Sequence, residues 1–129
     1  MVTHADHQFS RQDVVRPEDF VQEHLICYTS KIEVLDIFQR VLIPAGVTPK
    51  KVSQIQITEA IIEMVKAKLG ITVMATWAIK PYLRSKELVT IPVADHALER
   101  TWYALTIKQK NEPRYIQWFI NHLRTHPFA

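Results

Sequence analysis

Residues 65–79 read VKAKLGITVMATWAI, and no other stretch limits the fold so tightly. A helix-compatible run with polar positions meets Gly70 and passes at once into ITVMA, residues 71–75. A strand that is apolar at nearly every position must be covered on both faces, which is the condition of a sheet layered between helices. The rest of the chain repeats that alternation.

LICYT, residues 25–29, is a short apolar run bounded by polar residues and predicts a buried strand. A helix follows, with Ser30 as N-cap and Glu33 at the capping-box spacing. Its core face uses Leu35, Phe38 and Leu42, with Ile37 and Val41 alongside, and Pro44 to Gly46 end it. KKVSQIQI, residues 50–57, predicts a second strand. Thr58 then caps a helix running to about Leu69, with Glu59 at its positive end and Lys66 and Lys68 at its negative end. Ile61, Ile62, Val65 and Leu69 form its apolar stripe, and Gly70 terminates it.

After the third strand, ITVMA, comes a short helix, WAIKPYLRS, shifted by Pro81. LVTIPV and RTWYALTIK predict two more strands, and PRYIQWFINHLRTH a last helix facing inward with Ile116, Phe119, Ile120 and Leu123. Upstream, Pro17 with Glu18 and Asp19 marks a short helix start. The first sixteen residues are polar and give no clear strand. The order β-α-β-α-β-α-β-β-α predicts an α/β fold with a mixed, largely parallel sheet flanked by helices.

Charge and composition narrow the function. The 129 residues carry a formal charge of +3, and the lysines are scattered, with no run dense enough for a dedicated nucleic-acid surface. The start MVTHADHQFSRQD lacks the charged and apolar pattern of a secretory signal. No apolar segment approaches the roughly 20 residues that span a bilayer. A single cysteine, Cys27, cannot form an internal disulfide, which agrees with a reducing cytoplasm; its place in LICY marks it as an inert buried thiol. Glycine-rich phosphate loops, nucleophile elbows, paired cysteine motifs and HExxH are missing, so neither an enzyme nor a cofactor is expected. His122 and His126 stand four apart on a predicted helix without a third ligand, and His4 and His7 lie in the polar head; surface or structural roles account for all of them.

Three segments together, RPEDFVQEHLICY, LDIFQRVLIPAGVTPKKV and ITEAIIEMVKAKLGITVMATWAI, resemble the effector-binding (substrate-binding) domain of LysR-type transcriptional regulators. The helix, the LG pair and ITVMATWAI carry most of the resemblance, which extends from about His4 to His126. LDIFQRVLIPAGV and TWAIKPYL further resemble the subgroup that controls methionine biosynthesis. The resemblance implies a periplasmic-binding-protein-like (type 2) architecture, in which two α/β lobes clamp a small effector. Residues 1–23 would be the crossover from lobe one, residues 24–93 the effector-binding lobe two, and residues 94–129 the strand and helix that return to lobe one. The DNA-binding domain and the first half of lobe one would lie outside the chain. DNA would be bound only through that missing N-terminal part. The effector implied is a sulfur amino acid, homocysteine, and the effector domains would pair as a homo-oligomer.

In open α/β sheets ligands bind beyond the carboxyl ends of the strands, and exposed N–H groups at helix starts favour a carboxylate. Three strand-to-helix junctions meet that description: Tyr28, Thr29 and Ser30; Thr58 and Glu59; Thr76 and Trp77. Ser30 and Thr58 are also accounted for as N-caps, Glu59 as a complement to the helix dipole, and Trp77 as core packing. Thr29 is the one least explained by local structure. Facing an amino acid, Glu59 could meet the ammonium group. The alternative is an assembly module without ligand competence, its pairing surface on the helix of Leu35, Phe38 and Leu42.

Overall fold

A computed structural model of the chain describes residues 1–29, 31–94, 98, 103–107 and 113–126. Two compact units divide it, Met1–Glu99 and Arg100–Ala129. The first is built on a five-stranded mixed sheet of order β3-β2-β4-β1-β5. The strands are β1 (Val2–His4), β2 (His24–Cys27), β3 (Lys51–Gln54), β4 (Ile71–Thr72) and β5 (Leu88–Thr90).

β2 pairs in parallel with both β3 and β4, in the registers Cys27 opposite Gln54 and Ile26 opposite Thr72. β1 runs antiparallel to β4 and β5 and stands between them. The polar head therefore does supply a strand, contrary to the expectation. A three-residue VTH segment shows no period of its own; Val2 and Thr3 are buried because β4 and β5 flank them.

Each face of the sheet carries its own core, as the two-residue side-chain period requires. Leu25, Cys27 and Ile71 join one cluster with Phe9, Phe20, Leu35, Phe38 and Leu42. Ile26 and Val2 join the other with Ile61, Ile62, Val65 and Ile79. Fully burying one such side chain contributes about 1.5–3 kcal/mol, so these clusters are the main source of stability. The first face is covered by 3-10 turns at Gln8–Arg11 and Pro17–Gln22, by another at Ile32–Val34, and by a π-helical turn at Ile37–Leu42. Asp19 Oδ2 accepts from Arg16 N at 2.8 Å and closes the turn that Pro17 begins. The second face is covered by α1 (Thr58–Lys66) and α2 (Thr76–Ile79), which continues as a 3-10 turn at Lys80–Ser85 around Pro81.

Several boundaries differ from the sequence reading. The helix expected after Ser30 is two short turns of unlike pitch, and Ser30 itself lies outside the described residues. Thr58 is the first helical residue of α1, and Ile57 occupies the cap position, so Thr58 is not an N-cap. α1 ends at Lys66; Lys68 takes a left-handed conformation (φ 61°), which swings Leu69 out of the apolar stripe and leaves it 55% exposed. Gly70 is thus not the helix terminus. Its requirement is steric, because a Cβ there would collide with the backbone oxygen of His24 as β4 enters the sheet. Leu35, Phe38 and Leu42 are all buried, so they form core and not a pairing surface.

The second unit contains α3 (Arg114–Thr125) and the described residues 103–107. A strand was expected over RTWYALTIK; residues 103–107 are in no strand, and the remainder lies outside the described residues. On α3 Ile116, Ile120 and Leu123 are half-buried, while Tyr115, Trp118 and Phe119 are exposed.

Candidate functional site

The three predicted junctions follow β2, β3 and β4, the three adjacent strands that pair with one another in parallel. Parallel pairing puts their carboxyl ends on one edge of the sheet. The ladder holds up to that edge, since Ile55 N donates to the Cys27 carbonyl at 2.8 Å. Beyond it each chain turns away from the sheet.

After β2, Tyr28 is exposed and Thr29 half-buried. Thr29 Oγ1 accepts from Lys31 N at 3.2 Å, a local turn in which the hydroxyl spends one lone pair and keeps its own proton for another acceptor. Ser30 lies outside the described residues. After β3, Ile57 is exposed, Thr58 half-buried, and Glu59 exposed. Glu59 Oε1 accepts from Tyr82 Oη at 3.5 Å. After β4, Thr76 and Trp77 are both exposed, Trp77 to 51%, so the tryptophan is not core packing.

The fold thus brings the described six to one edge, and no hydrogen bond joins any two of them. α1 has nine residues and a dipole worth considering at Thr58 and Glu59. α2 is a single four-residue turn, too short for an aligned macrodipole, so Thr76 offers a hydroxyl and not a helix-end anion site. Tyr82 and Ile57 were missed in the sequence. Tyr82 lies six residues beyond Thr76 in a turn set by Pro81, and nothing in its local pattern links it to Glu59.

The opposite edge is closed by polar contacts. His24 Nδ1 donates to the Leu69 carbonyl at 2.6 Å, and Ser53 Oγ lies 2.8 Å from its Nε2. A carbonyl only accepts, so Nδ1 carries the proton and the serine hydroxyl donates to Nε2 in the neutral ring. Lys68 Nζ pairs with Asp6 at 2.7 Å; its ammonium holds that carboxyl below the usual range, helped by His4. A cavity of about 420 Å³ lined by Asp6, His7, Gln8, Ser10 and Arg11 lies at this edge, away from the three junctions.

Other candidates fall into place. Burial pushes the Cys27 thiol up to about 11, which leaves it protonated and unreactive at neutral pH. The rings of His122 and His126 stack with centroids 4.4 Å apart. Among the described residues no three His, Cys, Asp or Glu side chains are grouped to hold a metal ion, and no helix is long and apolar enough to cross a membrane.

In open α/β sheets ligands bind beyond the carboxyl ends of the strands, and this edge carries loop-borne polar groups. The family model for the LysR substrate binding domain matches residues 1–127, and the chain belongs to that family. It is similar to the helix-turn-helix transcriptional regulator MetR of Haemophilus influenzae, 27% identical over 124 residues that cover 96% of this chain and 40% of that protein. MetR of Buchnera aphidicola is 33% identical over 114 residues, 87% of this chain and 35% of that protein. Among solved structures it is similar to the regulatory domain of MetR, a LysR family regulator from N. meningitidis. The TM-score is 0.71 and the identity 31%, covering 75% of this chain and 44% of that one. The chain therefore spans less than half the length of each of these relatives.

Proposed function

We propose that this chain is the effector-sensing part of a LysR-type transcription regulator of the MetR kind, taking homocysteine or a closely related sulfur amino acid. The observation that carries the reading is the convergence of three junctions, each with a threonine, at the carboxyl ends of three adjacent parallel strands. Their hydroxyls and neighbouring N–H groups suit a carboxylate, and the exposed faces of Tyr28, Ile57 and Trp77 suit an apolar, sulfur-bearing chain. Residues 24–93 would serve as the second of two lobes. Residues 94–129 would return to the first, which accounts for the exposure of Tyr103, Leu105 and Ile107 and for the open face of α3.

Effector binding would favour one relative pose of the lobes, and so one geometry of a dimeric regulator on DNA, by as much as its affinity differs between the two poses. The DNA contact itself would belong to a separate segment, and the setting would be the cytoplasm. Calorimetry and thermal melting of the complete effector-binding domain with homocysteine and methionine test the assignment. A saturable heat with a raised Tm is expected; no heat and no shift with any sulfur amino acid would sink it.

A further inference from the structure

We propose that His122 and His126 form a chelating pair on α3 that binds a divalent transition-metal ion such as Zn²⁺, Ni²⁺ or Cu²⁺. Of the chain's six histidines they are the one pair spaced four residues apart, and that spacing puts two side chains one above the other on a helix. The backbone holds the spacing, since His126 N–H donates to the His122 carbonyl at 2.8 Å across the last turn of α3. The two rings stand with centroids 4.4 Å apart and planes 22° from parallel. A zinc ion bonds imidazole nitrogen at about 2.0–2.1 Å, so a single ion reaches both rings once they tilt toward each other at their Nε2 edges.

Spacing alone would leave the pair as surface residues; the hydrogen bonds around His126 point to a ligand. Thr125 Oγ1 lies 3.0 Å from the Asn121 carbonyl and 3.2 Å from that of His122, and carbonyls only accept, so the hydroxyl spends its one proton there. Its oxygen then accepts from His126 Nδ1 at 2.9 Å, with the His122 carbonyl a second acceptor at 3.3 Å. The Nδ1–H tautomer leaves the lone pair of His126 Nε2 bare. A metal-binding imidazole is oriented in this way, by an acceptor on its other nitrogen. Neither His126 Nε2 nor either ring nitrogen of His122 has a hydrogen-bond partner among the described residues. The other described histidines are spent: His24 on Leu69 and Ser53, His7 on Phe9 N–H and Glu23, and His4 Nδ1 on Asp6 N–H. Both residues of the pair are exposed, on the side of α3 away from the half-buried Ile116 and Ile120. Arg124, two residues from each, does not face them. Two imidazoles suit a borderline metal and not Mg²⁺ or Ca²⁺, whose ligands are oxygens; water completes the shell.

The test is calorimetric titration of the untagged chain at neutral pH with Ni²⁺, Zn²⁺ and Mg²⁺, joined by NMR of the ring nitrogens. One ion per chain is expected for Ni²⁺ and Zn²⁺ and none for Mg²⁺, with the Nε2 signals of both rings moving and the His126 Nδ1–H retained. His122→Gln and His126→Gln should each weaken Ni²⁺ binding at least about tenfold, because the remaining imidazole loses its intramolecular second ligand. Thr125→Val should weaken it by a smaller factor, because the His122 carbonyl still accepts from Nδ1. His4→Gln, outside α3, should leave it unchanged. Unchanged circular dichroism shows that the variants fold. Ni²⁺ binding that keeps its parent strength in either α3 histidine variant overturns the chelate, and so does a parent chain that binds no ion.

Discussion

Where β2 and β4 begin, side chains are spent on one another: His24 bridges the Leu69 carbonyl and Ser53, Lys68 pairs with Asp6, and Gly70 admits the His24 backbone. Where β2, β3 and β4 end, Tyr28, Ile57, Thr76 and Trp77 are exposed, and among the described residues Glu59 meets only a tyrosine hydroxyl. The two edges belong to one sheet and share its core, so the difference is not one of stability in general. A locked edge fixes the register of three strands, and that frees the other edge to present groups whose hydrogen-bonding capacity is unspent. Binding residues gather on loops held by a rigid scaffold for this reason.

The largest effect that would break the comparison is Gly70→Ala. With no room for a Cβ beside His24, β4 must shift, and a loss of about 2–3 kcal/mol is expected in urea unfolding. A loss below about 0.5 kcal/mol would mean that the closed edge is not set by close approach.

His24→Ala follows at about 1–2 kcal/mol, because it strands a carbonyl and a hydroxyl at the closed edge. The smallest expected effect sharpens the contrast. Thr76→Ala at the open edge should stay within about 0.5 kcal/mol of the parent while weakening the response to effector in calorimetry. A Thr76 variant as destabilised as the His24 variant would erase the distinction between the edges.

The placement of the candidate junctions was legible. The strand-to-helix junctions at Thr29, Thr58 and Thr76 follow from hydrophobic patterning, because a strand covered on both faces must end in a turn toward its helix. The roles within each junction were less so. Thr58 read as a cap and is the first helical residue, since a β-region Ile57 serves the cap position equally well in backbone terms. Trp77 read as core or cleft in equal measure, and only the four-residue length of α2 leaves it in water.

What the sequence determined by itself is the order of strands and helical segments between His24 and Thr90, and most of the apolar residues that fill both faces of the sheet. Those follow from local periodicity, which each segment carries alone. Tertiary structure alone decided that Val2–His4 stands inside the sheet, and that Gly70 is needed for a close approach and not for a helix end. It also decided that Tyr82 reaches Glu59. Each of these depends on segments far apart in the chain meeting at one point, and a pairing of that kind leaves no period in either segment to read.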